Sequence, residues 1–279
     1  MRILTKFTQV ALVATLCCTF ACTQTEQRPQ DEIPPEVLAK IKTMGFSTEG
    51  VLKADDGYIV ERDIFIPVER LGEQYENPLV LRAGQEEQYR TTNVVNTNGG
   101  RVVTIYLDTR FNSNYQTALQ GAIGAYNNLN LDLSFQQTNN ESGADIRITR
   151  LNRFLELFGV LGSAGFPTAS GDPFNRIQLS GVMESSFGYS IGAIATVIGH
   201  EIGHCIGFRH TDYFDRSISC GGATDPEPAA PEGAILIPGT PSGANLADAS
   251  WMLACSDGST RRFNADDITA LNWMYKDNF

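Results

Sequence analysis

The sequence predicts an α+β fold, a mixed sheet with helices packed on it, and three observations carry this. Short apolar runs alternating at period two recur between residues 102 and 180. Two longer segments, from Ser113 and from Ser190, repeat apolar residues at spacings of three and four. Strand and helix patterns follow one another in the order β-α-β-β-β-β-α.

Each element has a local reason. Pro34-Pro35 opens a short helix with Val37, Leu38, Ile41 and Met44 on one face, and Gly45 stands at its C-cap position. Tyr58 to Pro67 is β-rich. Val102 to Asp108 reads as a strand, and Ser113 is placed to cap a helix carrying Tyr115, Leu119, Ala122, Ile123, Tyr126 and Leu129. Leu131, Leu133 and Phe135 alternate as a strand, as do Ile146 and Ile148. Short strands are expected within 158–166 and 176–180, and then a long helix from Ser190. Residues 221–243, rich in Gly, Pro and Ala, read as a long surface loop. Asn264 caps a last helix with Ile268, Leu271, Met274 and Tyr275 on its apolar face.

The chain has 279 residues, 42% of them hydrophobic, enough for a sizeable core. Its 21 basic and 32 acidic residues give a net charge of −11. That balance excludes the basic footprint of a nucleic-acid binder. Residues 1–21 run from Arg2 and Lys6 through an apolar stretch, Val10 to Leu16, to small residues before Cys22, the order of a secretory signal. The stretch is shorter than the ~20 residues of a membrane span. Ala21-Cys22 resembles a bacterial lipobox, with Thr19 and Phe20 departing from it, so Cys22 is the candidate lipidation site and plain secretion the alternative. Losing the signal removes Arg2 and Lys6 and no acid, taking −11 to −13. The expected product is exported from a bacterial cell, touches a membrane only through a lipid anchor, and is monomeric.

The expected organisation is a signal over 1–21, a polar tether over 22–31, a segment over 32–84 that is either an N-terminal subdomain or a pro-segment, and the main domain over 85–279. Export makes Cys205, Cys220 and Cys255 disulfide candidates.

The three histidines of the whole chain fall within HEIGHCIGFRH, residues 200–210. On a helix His200 and His204 are one turn apart and share a face, so both imidazoles can reach one ion. Glu201 is one residue out of that register, which suits a base acting on a metal-bound water. Gly207 can turn the chain back, so that His210 becomes a third ligand and one position stays open, the pattern of a catalytic zinc site. The opposite stripe, Ile191, Ile194, Ala195, Ile198, Ile202, Cys205 and Ile206, should pack on the sheet while the histidines face a cleft. Cys205 is then a packed thiol, and by elimination Cys220 and Cys255 form the disulfide. Gly199, Gly203 and Gly207 line a second row, against which some group should approach closely.

The motif is the extended zinc signature H-E-x-x-H-x-x-G-x-x-H of the metzincin metallopeptidases, complete at every fixed position. HEIGHCIGFRHTD resembles, more narrowly, the bacterial dual-action HEIGH metallopeptidases, with a wider similarity from about Gly57 to the C-terminus. The resemblance implies a mostly parallel twisted sheet with an active-site helix and a smaller irregular C-terminal subdomain. It implies Zn²⁺ on His200, His204 and His210, Glu201 as catalytic base, and Met252 in a Met-turn. Several metzincins place a tyrosine two residues after that methionine; here Ala254 stands there, and Tyr213 is the candidate oxyanion helper. The implied substrate is a protein or peptide, held extended on an edge strand within 158–166. Many metzincins are kept latent by a pro-segment Cys or Asp over the metal. Residues 32–84 lack cysteine, which leaves Asp55, Asp56 or Asp63 for that role.

The expected function is therefore an exported zinc endopeptidase that cleaves peptide bonds with a zinc-bound water activated by Glu201. The alternative is a surface lipoprotein binding module with a structural or vestigial zinc site. A zinc hydrolase of non-peptide amides would use the same residues.

Overall fold

The structure is a computed structural model, and it describes residues 33–72, 88–227, 234–240 and 249–277. The signal, Cys22 and the tether lie outside the described residues. The described residues from Ile33 onward group as one compact unit, and no described helix is long and apolar enough to cross a membrane.

Helix α1 spans Pro35–Thr43 and buries Ile41; Gly45 follows it at φ +81°. Three short strands come next, β1 (Leu52–Ala54), β2 (Gly57–Val60) and β3 (Ile64–Pro67), all antiparallel neighbours. The β-rich run from Tyr58 to Pro67 is thus a hairpin, broken at a tip where Glu61 and Arg62 adopt φ of +51° and +82°. Strand β4 (Tyr89–Arg90) is followed by β5 (Arg101–Leu107), whose alternate residues Val103, Ile105 and Leu107 face the core. Helix α2 (Ser113–Asn127) is capped by Asn112, one residue earlier than the sequence suggested, because the Asn112 side chain accepts from the amides of Asn114 and Tyr115. After it come β6 (Leu133–Thr138), β7 (Ile146–Arg150), the short helix α3 (Arg153–Leu157), β8 (Gly162–Ala164) and β9 (Arg176–Leu179). A second short helix, α4 (Met183–Phe187), precedes α5 (Ile191–Ile206). The C-terminal part is irregular: α6 (Ser217–Cys220), β10 (Ile235–Leu236) and α7 (Ala265–Asn272) are separated by turns. The one-turn helices α3 and α4 are too short to show a period in sequence.

Eight strands form one sheet in the order β1-β2-β3-β8-β9-β7-β5-β6. Pairings β3/β8, β9/β7, β7/β5 and β5/β6 are parallel; the other three are antiparallel. Helices α2 and α5 pack together over it, burying Tyr115, Leu119, Tyr126, Ile194, Ile198 and Ile202 in one core with the sheet. A smaller core joins Ile41, Met44 and Phe46 to Tyr58, Val60, Ile64, Ile66 and Phe166.

Three features differ from the sequence reading. Strands β1 to β3 continue the main sheet, so the described part of 32–84 packs as one body with the main domain. Strand β8, expected to be an open edge, carries β3 along that edge, with the Ala164 amide donating to the Asp63 carbonyl at 3.0 Å. The described part of 221–243 is also less exposed than a surface loop: Glu227, Ala234 and Ile237 are buried, and β10 pairs with β4. Apolar side chains spaced among prolines and glycines found partners that no local period announces.

Candidate metal centre

Helix α5 starts at Ser190, whose Oγ accepts from the Ala193 amide at 3.1 Å. It ends at Gly207, where φ of +111° turns the chain away from the axis. A side chain there would be strained, and its Cβ would stand 3.1 Å from the Asn93 carbonyl. The turn brings His210 back beside His200 and His204.

The three imidazoles converge through Nε2. Those of His200 and His204 are 3.0 Å apart, and the Asp63 carboxylate Oδ2 lies 3.2 Å from Nε2 of both His200 and His210. The donor atoms of these four residues all lie within 4.8 Å of one another. Each Nδ1–H points away and donates to a fixed acceptor: His200 to the Trp251 carbonyl at 2.8 Å, His204 to the Phe208 carbonyl at 2.9 Å, and His210 to the Glu227 carboxylate. Those bonds select the tautomer whose Nε2 lone pair faces the shared centre, as metal ligation requires. Three imidazoles and a carboxylate at this spacing fit Zn²⁺.

The buried charges pull the imidazoles in opposite directions. Burial works to lower His210, but Asp63 and Glu227 outweigh it and hold the ring well above its ordinary range, so it carries a proton that an arriving ion would displace. Burial, and then the neighbouring His200 and His210, hold His204 well below the ordinary imidazole range, so it is neutral and free to ligate. Burial works to raise Asp63, but His210, His200 and His204 outweigh it and keep the carboxyl well below its usual range. Burial, reinforced by Asp63, raises Glu201 well above it. Glu201 is 2% exposed, and its Oε2 has no hydrogen-bond partner among the described residues. Gly162 on β8 makes room for it, since a Cβ there would collide with the Glu201 carboxylate.

Below the histidines, Met252 is fully buried, and its Sδ would be 2.5 Å from a Cβ added at Gly203. Trp251 Nε1 donates to the Gly199 carbonyl at 3.0 Å. These are the close approaches expected along the glycine row. Cys220 and Cys255 are joined in a disulfide beside this turn, and Cys205 is a free, buried thiol. Tyr213 packs on Tyr89, with its ring 5.7 Å from the Arg209 guanidinium. Asp212 is no ligand. It accepts from the Ala254 amide at 2.8 Å and from Ser219, tying the turn after His210 to the segment after Met252.

The histidines are more enclosed than an open cleft would leave them: His204 and His210 are 0% exposed. The cover is the hairpin tip. Of the three aspartates weighed from sequence, Asp63 reaches the centre, whereas Asp55 accepts from Asn152 and Asp56 pairs with Arg176. Glu61, at the same tip, faces Arg209 at 3.4 Å, and Arg209 also holds Glu227 at 3.0 Å. Burial, then Glu227, push Glu61 up to about 8. Burial would raise Glu227 as well, but His210 and the two arginines Arg209 and Arg216 bring it to about 2. Sequence reasoning missed Glu227 because the Asp-Pro-Glu-Pro stretch around it carries no ligand spacing.

A helix-borne pair of histidines, a third after a glycine turn and a buried glutamate beside them define a zinc metallopeptidase site. A family model described as dual-action HEIGH metallo-peptidase matches residues 58–275, and the chain belongs to that family. The match includes the hairpin. Among solved structures, high choriolytic enzyme 1, a hatching enzyme zinc-protease from Oryzias latipes (medaka fish), is 15% identical, with 65% of this chain and 92% of that chain covered and a TM-score of 0.38. Two structures of myroilysin are 14% and 12% identical, covering 67% and 76% of this chain and 99% and 97% of theirs, both at TM-score 0.38. No curated protein matches the chain.

Proposed function

We propose that this chain is an exported zinc endopeptidase made in a latent form. The observation that carries the reading is the Glu201 carboxylate, buried beside three converging imidazoles with one oxygen unpartnered among the described residues. A purely structural zinc site has no need of such a group.

His200, His204 and His210 hold the ion. Zinc, when bound, polarises a substrate carbonyl and makes a water acidic at neutral pH. Glu201 takes the proton of the attacking water on its carboxylate and delivers it to the departing amine. Strand β8 supplies backbone N–H and C=O groups for an extended peptide once β3 no longer occupies that side. In the described state Asp63 fills the position the substrate needs, so hairpin 57–67 acts as the latency element, and removal of the segment up to about residue 85 releases it. The signal-like 1–21 and Cys22 support export with a lipid anchor on the cell envelope, or secretion if Cys22 is not modified.

A second reading is favoured by one observation. Asp63 completes a four-donor set, and four protein ligands are also the pattern of a closed structural site in a binding module. One experiment separates the two. Zinc content and cleavage of a denatured protein are measured for the full chain, a truncation at residue 85, Asp63→Ala, and Asp63→Ala with Glu201→Gln. A latent peptidase gives full zinc throughout, cleavage in the truncated and Asp63→Ala forms, and none with Glu201→Gln. Full zinc with no cleavage in any form favours the binding module, and cleavage that survives Glu201→Gln removes the assigned base.

A further inference from the structure

The three ligands are not held alike. His200 and His204 sit one turn apart on α5, so the helix itself sets where their rings point, and backbone carbonyls accept from their Nδ1–H groups. His210 lies beyond the Gly207 turn and has no helix to orient it. Its Nδ1–H meets a side chain instead, the Glu227 carboxylate, from a segment seventeen residues further along.

Glu227 is itself fixed from several sides. Its side chain is 0% exposed, and its amide donates to the Tyr213 carbonyl at 2.8 Å. Arg209, also 0% exposed, donates to its Oε2 at 3.0 Å, and Arg216 Nε stands 4.0 Å from its Oε1 while binding Asp225 at 2.7 Å. A buried carboxylate between two guanidinium groups is held in one place. One of those guanidinium groups, on Arg209, also faces Glu61 at the hairpin tip.

We infer that Glu227 is the positioning residue for the third metal ligand, a role resting on the zinc reading above. It fixes the His210 tautomer and ring plane, so that Nε2 presents its lone pair to the ion. A carboxylate acceptor also enriches the ring in electron density and strengthens its bond to zinc more than a neutral carbonyl does. Through Arg209, the same carboxylate shares its anchorage with the hairpin, which places the third ligand and the latency element on one buried network.

The test uses the full chain loaded with zinc. Transfer of zinc to a chromophoric chelator is timed for the wild type, Glu227→Gln and Glu227→Asp, with the thermal melt of each metal-free protein as the folding control. Release should be 10- to 100-fold faster in Glu227→Gln, the range for loss of a partner behind a ligand, with partial recovery in Glu227→Asp. Nitrogen-15 spectra of the imidazoles give a second readout, the first part of which uses the wild type alone. One ring N–H of the wild type should be displaced downfield of the other two, and it alone should move back in Glu227→Gln. Zinc release within twofold of wild type, or a wild type with no displaced ring proton, overturns the inference. A wild type that takes up no zinc instead removes the metal reading beneath it, a separate result.

Discussion

Asp63 Oδ2 lies 3.2 Å from His210 Nε2, across 147 residues of sequence. On the latent reading proposed above, this contact puts the hairpin tip where a substrate carbonyl would sit. Replacing Asp63 by alanine should raise cleavage of a fluorogenic unfolded protein by at least about tenfold, because a tethered blocking group acts at high effective concentration. Initial rates at equal zinc occupancy check this, and an unchanged rate would separate the hairpin from control of activity.

Gly203→Ala should destabilise the fold although alanine is the better helix former by ~1 kcal/mol. The added Cβ would stand 2.5 Å from Met252 Sδ and 3.2 Å from the Trp251 ring, and both side chains are buried. Overpacking of this kind costs about 1–3 kcal/mol. Urea unfolding gives the sign directly, and a more stable variant would mean that the Met252 turn yields easily.

Reduction of Cys220–Cys255 should cost about 4 kcal/mol, the loop-closure value for a separation of 35 residues. The bridge ties α6 to the turn after Met252, so loss should show first as exposure of Trp251. Tryptophan emission and the thermal midpoint, with and without reductant, measure it. A midpoint unmoved by reduction would show that Asp212 and Ser219 hold that corner alone.

Asp267 links Gln88, Ser250 and the N-cap of α7, and burial pushes it up to about 6. A carboxyl raised in the folded state binds its proton more tightly there. Its contribution to stability is therefore greatest below pH 4 and is lost as pH rises through about 6. Relative to Asp267→Asn, the wild type should lose up to ~3 kcal/mol between pH 4 and pH 7. Denaturant midpoints of the two metal-free proteins across that range test the slope; parallel curves would mean that the group titrates normally.

Strands β5 to β9, with α2, α5 and α7, were legible because each rests on a local period or cap, whereas β1 carries too short a pattern to read. The metal-binding core was legible for the same reason: the pitch of a helix sets two histidines on one face, and a glycine turn returns the third. The tip hairpin was only half legible, since Tyr58 to Pro67 looks β-forming throughout. Its break at Glu61 and Arg62 uses positive φ in residues that rarely adopt it. Asp63 could not be chosen over Asp55 and Asp56 from sequence, because all three are acids within nine residues and none carries a ligand spacing.

By itself, then, the sequence determined the family, the metal and the class of fold, and it set three histidines and a glutamate close together in the chain. Tertiary structure alone decided that Asp63 reaches the three imidazoles, that β3 pairs with β8, and that Glu227 accepts from His210. Those pairings join positions 17 to 147 residues apart. Three histidines have few alternative partners, whereas any of 32 carboxylates could have reached the site. Only the packing of the sheet and the buried arginines selects which ones do.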